Sequence, residues 1–224
     1  GYSLTYAFSS PVSTSDSNKR YTWSSTSGLS QTLQGNTFSV TAGGTITGTY
    51  NTQYQVSITS SGIGGDSSGT VATLDGDART QSQLPYSKWL ASGYSLTYSF
   101  SSPVSTSDSD KRYVWASTSG LSQTLQGSTF SVTAGGTITG TYGIEYQVSI
   151  TSSGIGGDSS GTVATLDGDA RTQSQLPYSK WLASGYSLTY SFSSPVSTSD
   201  SNKRYTWSST SGLGQTLQGS TFSV

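Results

Sequence analysis

The sequence predicts an all-β chain of repeated antiparallel β-sandwiches, and three observations carry that prediction. The stretch GYSLTYAFSSPVSTSDSNKRYTW at the start returns almost letter for letter at Gly93 and Gly185, so the text repeats every 92 residues. Apolar residues alternate with small hydroxyl residues, the period of a half-buried strand, and no segment shows the three-and-four spacing of a helix. Gly, Pro and Asp punctuate the alternating runs at intervals of about 8 to 12 residues.

At the second occurrence of the opening stretch, Tyr94, Leu96, Tyr98 and Phe100 share one parity and define a first strand. Pro103 cannot donate to a ladder, so it ends that strand and leads into the loop VSTSDSD. Lys111 and Arg112 open the next strand, KRYVWAST. Phe130 and Val132 alternate in FSV, and Gly135 with Gly136 is expected to turn a hairpin into TITGTY, where Ile138 and Tyr142 share a face. Tyr146, Val148 and Ile150 alternate against Gln147, Ser149 and Thr151, and Asp167–Gly168 is expected to turn a second hairpin. Roughly seven short strands per repeat fit an immunoglobulin-like topology. With no Cys to form a disulfide, the core is expected to rest on Tyr94, Leu96, Phe100, Tyr113, Trp115, Phe130, Val132, Ile138, Val148 and Ile150.

The first two copies differ at Ala7/Ser99, Asn18/Asp110, Thr22/Val114, Ser24/Ala116, Asn36/Ser128, Asn51/Gly143, Thr52/Ile144 and Gln53/Glu145. Thr22 and Ser24 have the parity opposite to Tyr21 and Trp23, so these exchanges fall on the face read as outward. Most of the others lie in turns or at the repeat junction.

Charged residues make up 9% of the chain, against about 25% in an ordinary soluble domain. Disorder does not follow, because fifteen Tyr, six Phe and five Trp sit in alternating patterns. A net charge of −1 without a basic block argues against nucleic acid or an anionic membrane as partner. No run of about 18 apolar residues marks a membrane span.

The text YQVSITSSGIGGDSSGTVATLDGDARTQSQLPYSKWLASGYSLTYSFSSPV, with KRYVWASTSGL, STFSV and GTITGTY, resembles the Ig-like tandem repeats of large archaeal extracellular proteins. SGIGGDSSGTVATLDG, LPYSKW and KRYVWASTSGL are its most specific marks. The resemblance implies a stalk, adhesin or filament at the cell surface, and it brings no catalytic residues and no cofactor. It also implies a phase: 1–52 the back part of a module, 53–144 a complete Ig-like module, and 145–224 a module without its last strand. Junctions such as TGTYNTQYQVSIT hold no flexible linker, so one module is expected to run into the next within a longer array.

Candidate chemistry is sparse. With no His and no Cys, the commonest general base and the most reactive nucleophile are both missing. Ser87 beside Lys88 suggests a dyad, but neighbours on a strand point to opposite faces. Asp108 with Asp110, and Asp167 with Asp169, have a spacing that suits a hard cation, although copy one has Asn18 in place of Asp110. Turn-forming Asp is the favoured reading there, and no metal site is assigned. Tyr178, Lys180 and Trp181 near Pro177 offer an alternative function, a sugar-binding platform acting through avidity on surface glycans. The rows of Ser and Thr leave strand edges with few guarding charges, which suggests either self-association with identical chains or a coat of O-glycans.

Overall fold

The computed structural model describes all 224 residues, Gly1–Val224, as an all-β chain. Its only other regular elements are single 3-10 turns at Gln81–Gln83 and Gln173–Gln175. The chain divides into two units, one of residues 1–104 with 115–142 and one of 105–114 with 143–224.

In the first unit the alternating stretch forms the strand Ser95–Phe100. It pairs antiparallel with Gly127–Ser131 on one side and Ala72–Leu74 on the other, and Asp77–Arg79 adds the edge. Leu96, Tyr98 and Phe100 are buried while Ser95, Thr97 and Ser99 face out, as the period of two requires. The outer face carries hydroxyls bonded across strands, with Thr97 Oγ1 2.8 Å from Thr129 Oγ1.

A second sheet is organised by one long strand, Thr47–Ser61, of 15 residues. Its first half pairs antiparallel with Lys19–Ser27 and its second half with Tyr86–Ala91. Along the opposite edge of the second half, Gly136–Thr141 runs parallel to Val56–Ser61. Val56, Ile58 and Ile138 thereby become fully buried together with Val71, Leu74 and Leu96.

This parallel pairing corrects the hairpin expected at Gly135–Gly136. Gly127–Ser131 pairs with Ser95–Ser99 in the other sheet, so the two glycines carry the chain from one sheet to the next. Close approach explains them: a Cβ on Gly135 would lie 2.4 Å from the Asn18 carbonyl oxygen and 3.0 Å from that of Gln55.

The expected core shifts as well. Tyr94 is 40% exposed, because it precedes the ladder and its hydroxyl donates to Asp75 (3.0 Å). Trp115 and Phe130 are half-buried rather than central. Tyr98, left out of the expected core, is among its largest fully buried side chains. A register shift between Trp23 and Ser25 explains why burial changes parity along that strand. Beyond the shift Thr26 is buried, and it accepts a 3.0 Å hydrogen bond from the Trp23 indole; Thr118 and Trp115 repeat the pair.

In the second unit Ala164–Leu166 lies between Asp169–Arg171 and Ser187–Phe192, with Gly219–Ser223 beyond. Glu145–Ile150 pairs with Tyr178–Ala183. Val148, Ile150, Ala164, Leu166, Leu182, Leu188 and Tyr190 form the core. A small sheet of Ser159–Ser160, Val196–Thr198 and Arg204–Tyr205 completes it.

The hairpin expected at Asp167–Gly168 is present, joining Ala164–Leu166 to Asp169–Arg171 with positive φ at both turn residues, 53° and 82°. Asp75–Gly76 does the same in the first unit, at 54° and 83°. Nothing lies within 4 Å of a Cβ placed on Gly76, so Gly76→Ala meets only the left-handed backbone penalty. Chemical denaturation of that variant is expected to show a loss of about 1 kcal/mol.

Candidate functional site

The charged side chains, few as they are, gather in repeated clusters. Asp75 in the turn and Asp77 after it both reach the ammonium of Lys88, at 3.1 and 2.9 Å. Tyr86 donates to Asp77 at 2.7 Å, and Tyr94 donates to both oxygens of Asp75. The Arg79 guanidinium lies 3.7 Å over the ring of Tyr86. Asp167, Asp169, Lys180, Tyr178, Tyr186 and Arg171 repeat the arrangement in the second unit. Two carboxylates, one lysine and one arginine leave each cluster with no net charge. What such a cluster does is tie the turn to the strand carrying the lysine.

Hydrogen bonds from Lys88 and then Tyr86 hold the Asp77 carboxyl below the usual carboxylate range, and Lys180 with Tyr178 does the same for Asp169. Lys203 and Tyr205 likewise lower Asp158. A carboxyl depressed in the folded state stabilises above its unfolded pKa, and that contribution fades as the pH falls through the folded value. The melting temperature is therefore expected to hold from neutral pH to about pH 4 and to drop below it. In Lys88→Met with Lys180→Met, the acid-induced drop measured by calorimetry is expected to be shallower.

These contacts place the residues singled out from the sequence. Ser87 and Lys88 diverge as their adjacency requires: the Ser87 hydroxyl meets that of Ser57 at 2.7 Å, while Lys88 turns to the aspartates. Asp108 accepts the backbone N–H of Asp110 at 2.9 Å, a turn-forming bond. Asp167 and Asp169 converge on Lys180, so an ammonium occupies the point where a cation was considered. Tyr178 and Trp181 are three residues apart on one strand and so project from opposite faces. Arg171 covers the first ring and Arg112 the second.

No family model matches the chain, and no curated protein or solved structure matches it.

The arginine on Trp181 belongs to a second kind of cluster, beside Glu145, where the sequence places a repeat junction. Arg112 stacks 4.2 Å from the centre of the Trp181 ring, and two of its nitrogens reach Glu145 Oε2 at 2.8 and 2.6 Å. In the first unit Arg20 stacks 4.2 Å from Trp89 and donates from Nε to Gln53 at 2.8 Å. Gln53 and Glu145 both lie inside a 15-residue strand, Thr47–Ser61 and Gly136–Ile150 respectively. Sequence reading placed the junctions at these two residues and missed the clamp, because Arg112 and Trp181 are far apart in the chain.

Proposed function

We propose that this chain is the repeat region of an extracellular filament, stalk or surface adhesin. It is built of tandem immunoglobulin-like β-sandwich modules of 92 residues joined end to end, and it performs no catalysis. The observation that carries the reading is the uninterrupted strand at each repeat junction, flanked by an arginine stacked on a tryptophan. A paired strand in place of a Gly/Ser linker suits modules joined end to end. Outer faces covered by mutually bonded Thr and Ser hydroxyls, such as Thr97 with Thr129, suit side-by-side association of identical chains. Electron microscopy of the purified chain without added ligand tests the proposal. Rod-like polymers are expected, and isolated particles at every concentration would overturn it.

A further inference from the structure

The four-stranded sheet of the first unit has two unlike edges. One is Asp77–Arg79, whose charged side chains are drawn into the cluster with Lys88 and Tyr86. Charges of this kind guard an edge against pairing with another chain. The other edge is Gly127–Ser131, which carries neither charge nor proline. Gly219–Ser223 bounds the corresponding sheet of the second unit in the same way.

Bonds at both ends of Gly127–Ser131 fix the direction of its backbone groups. The N–H of Phe100 donates to the Gln126 carbonyl at 2.9 Å, and that of Val132 to the Tyr94 carbonyl at 2.9 Å. Bonded pairs alternate along an antiparallel ladder, so the even residues of 126–132 turn their backbone groups toward Ser95–Phe100. On the far side of Ser95–Phe100, the odd residues Thr97 and Ser101 bond to Asp75 and Val71, as the same alternation requires. The N–H and C=O groups of Gly127, Thr129 and Ser131 therefore point away from the sheet, and no strand of the chain pairs with them. All three residues are exposed. On the inner face Phe130 meets Tyr98 edge-on at 6.2 Å, yet stays half-buried because nothing follows it along the sheet.

We propose that Gly127–Ser131 pairs antiparallel with the same strand of a second copy of this chain, about a two-fold axis through Thr129. Gly127 then lies opposite Ser131 of the second copy and Thr129 opposite its own counterpart, and each of these residues gives and receives one backbone bond. The partner's chemistry is the one the chain already uses, since threonine hydroxyls meet across strands at Thr5–Thr37, Thr97–Thr129 and Thr189–Thr221. A hydroxyl donates once and accepts twice, so Thr129 can keep Thr97 and join its counterpart. On the inner face the small Ser128 of the second copy comes opposite Phe130 and covers the exposed side of its ring. No charge lies on the strand, so no ion is desolvated. The contact is isologous and closes on itself, and its recurrence in the second unit lets one chain hold more than one neighbour. The inference deepens the self-associating reading and rests on it.

Disulfide trapping tests it, because the chain has no cysteine and a single Thr129→Cys reports on the axis alone. A bonded antiparallel pair holds its Cα atoms about 5.5 Å apart, within the span of about 4.4–6.8 Å that a disulfide bridges. Two copies of Thr97→Cys would stand three strand spacings apart, about 14 Å, and cannot be bridged. Mild oxidation is expected to convert Thr129→Cys to a linked dimer on a non-reducing gel and to leave Thr97→Cys monomeric. Combining Thr129→Pro with Thr37→Pro and Thr221→Pro removes only N–H groups that point outward, so the ladders within the chain keep their bonds. That variant is expected to keep the circular dichroism of the parent and to lose its association in sedimentation. Equal cross-linking at positions 129 and 97, or a folded proline variant that associates as before, overturns the proposal. Polymers formed by the proline variant also overturn it, and leave the filament reading standing. Cross-linked Thr129→Cys dimers without any polymer of the parent chain in micrographs support the edge pairing and overturn the filament instead.

Discussion

Phe100→Ala is expected to destabilise the chain by about 3–5 kcal/mol, read as a shift of the urea midpoint at unchanged slope. Phe100 is 2% exposed. Its ring meets Tyr98 edge-on at 6.0 Å and Tyr142 at 6.5 Å, and the Gly140 backbone closes over it. Removing the ring opens a cavity that the surrounding strands, tied by ladders on both edges, cannot collapse into. The same substitution at Phe8, which is only half-buried, is expected to cost about 1 kcal/mol. The sequence repeats around these two phenylalanines, so the contrast isolates burial from local propensity. Gly48 closes over Phe8 as tightly as Gly140 does over Phe100, so equal losses would show that the deeper burial of Phe100 contributes nothing.

That contrast also marks how far the sequence reaches. Alternation identified Leu96 and Phe100 as inward-facing, because a strand with one wet face has no other way to distribute them. It also put Ile138 and Tyr142 on one face, and both are buried. What alternation does not carry is which strands are neighbours. Two glycines between alternating runs read as a local hairpin, but Gly135 is there to pass close to Asn18 and Gln55, residues distant in the chain. The shift between Trp23 and Ser25 was hidden for a related reason. A bulge adds a residue to one strand against its partner, and no change of composition marks it.

The clusters were half legible. Asp167 and Asp169 at one-residue spacing suggest a cation, and their cation is Lys180, thirteen residues from Asp167; Asp75 and Asp77 meet Lys88 in the same way. One signal pointed to it: Lys88 shares its parity with Tyr86 and Leu90, and Leu90 is buried. A lone charge on an inward-facing row demands a partner of opposite sign. Tyr94 belongs to the same lesson, since its parity is that of the core while its hydroxyl is drawn to Asp75 at the sheet edge.

The junction clamp supplies the second large expected effect, in Arg112→Ala. The side chains of Arg112 and Glu145 are 29% and 25% exposed, so their pairing is partly shielded from water. A charge-assisted hydrogen bond in that setting contributes about 1.5–3 kcal/mol, and stacking on Trp181 adds to it; solvent screening brings the expected total to about 2 kcal/mol. Arg20→Ala removes a stack on Trp89 and a bond to the neutral Gln53, so about 1 kcal/mol is expected there. The two losses should also respond differently to salt. Raising the ionic strength screens the Arg112–Glu145 attraction and leaves the Arg20–Gln53 bond nearly unchanged, so the difference between the variants shrinks in high salt. Arg112→Lys keeps the charge but loses the flat guanidinium face and the second nitrogen, and is expected to recover less than half of the loss. Full recovery by lysine would reduce the clamp to a point charge, and the stacked ring of Trp181 would then have no part in stiffening the strand that passes through Glu145.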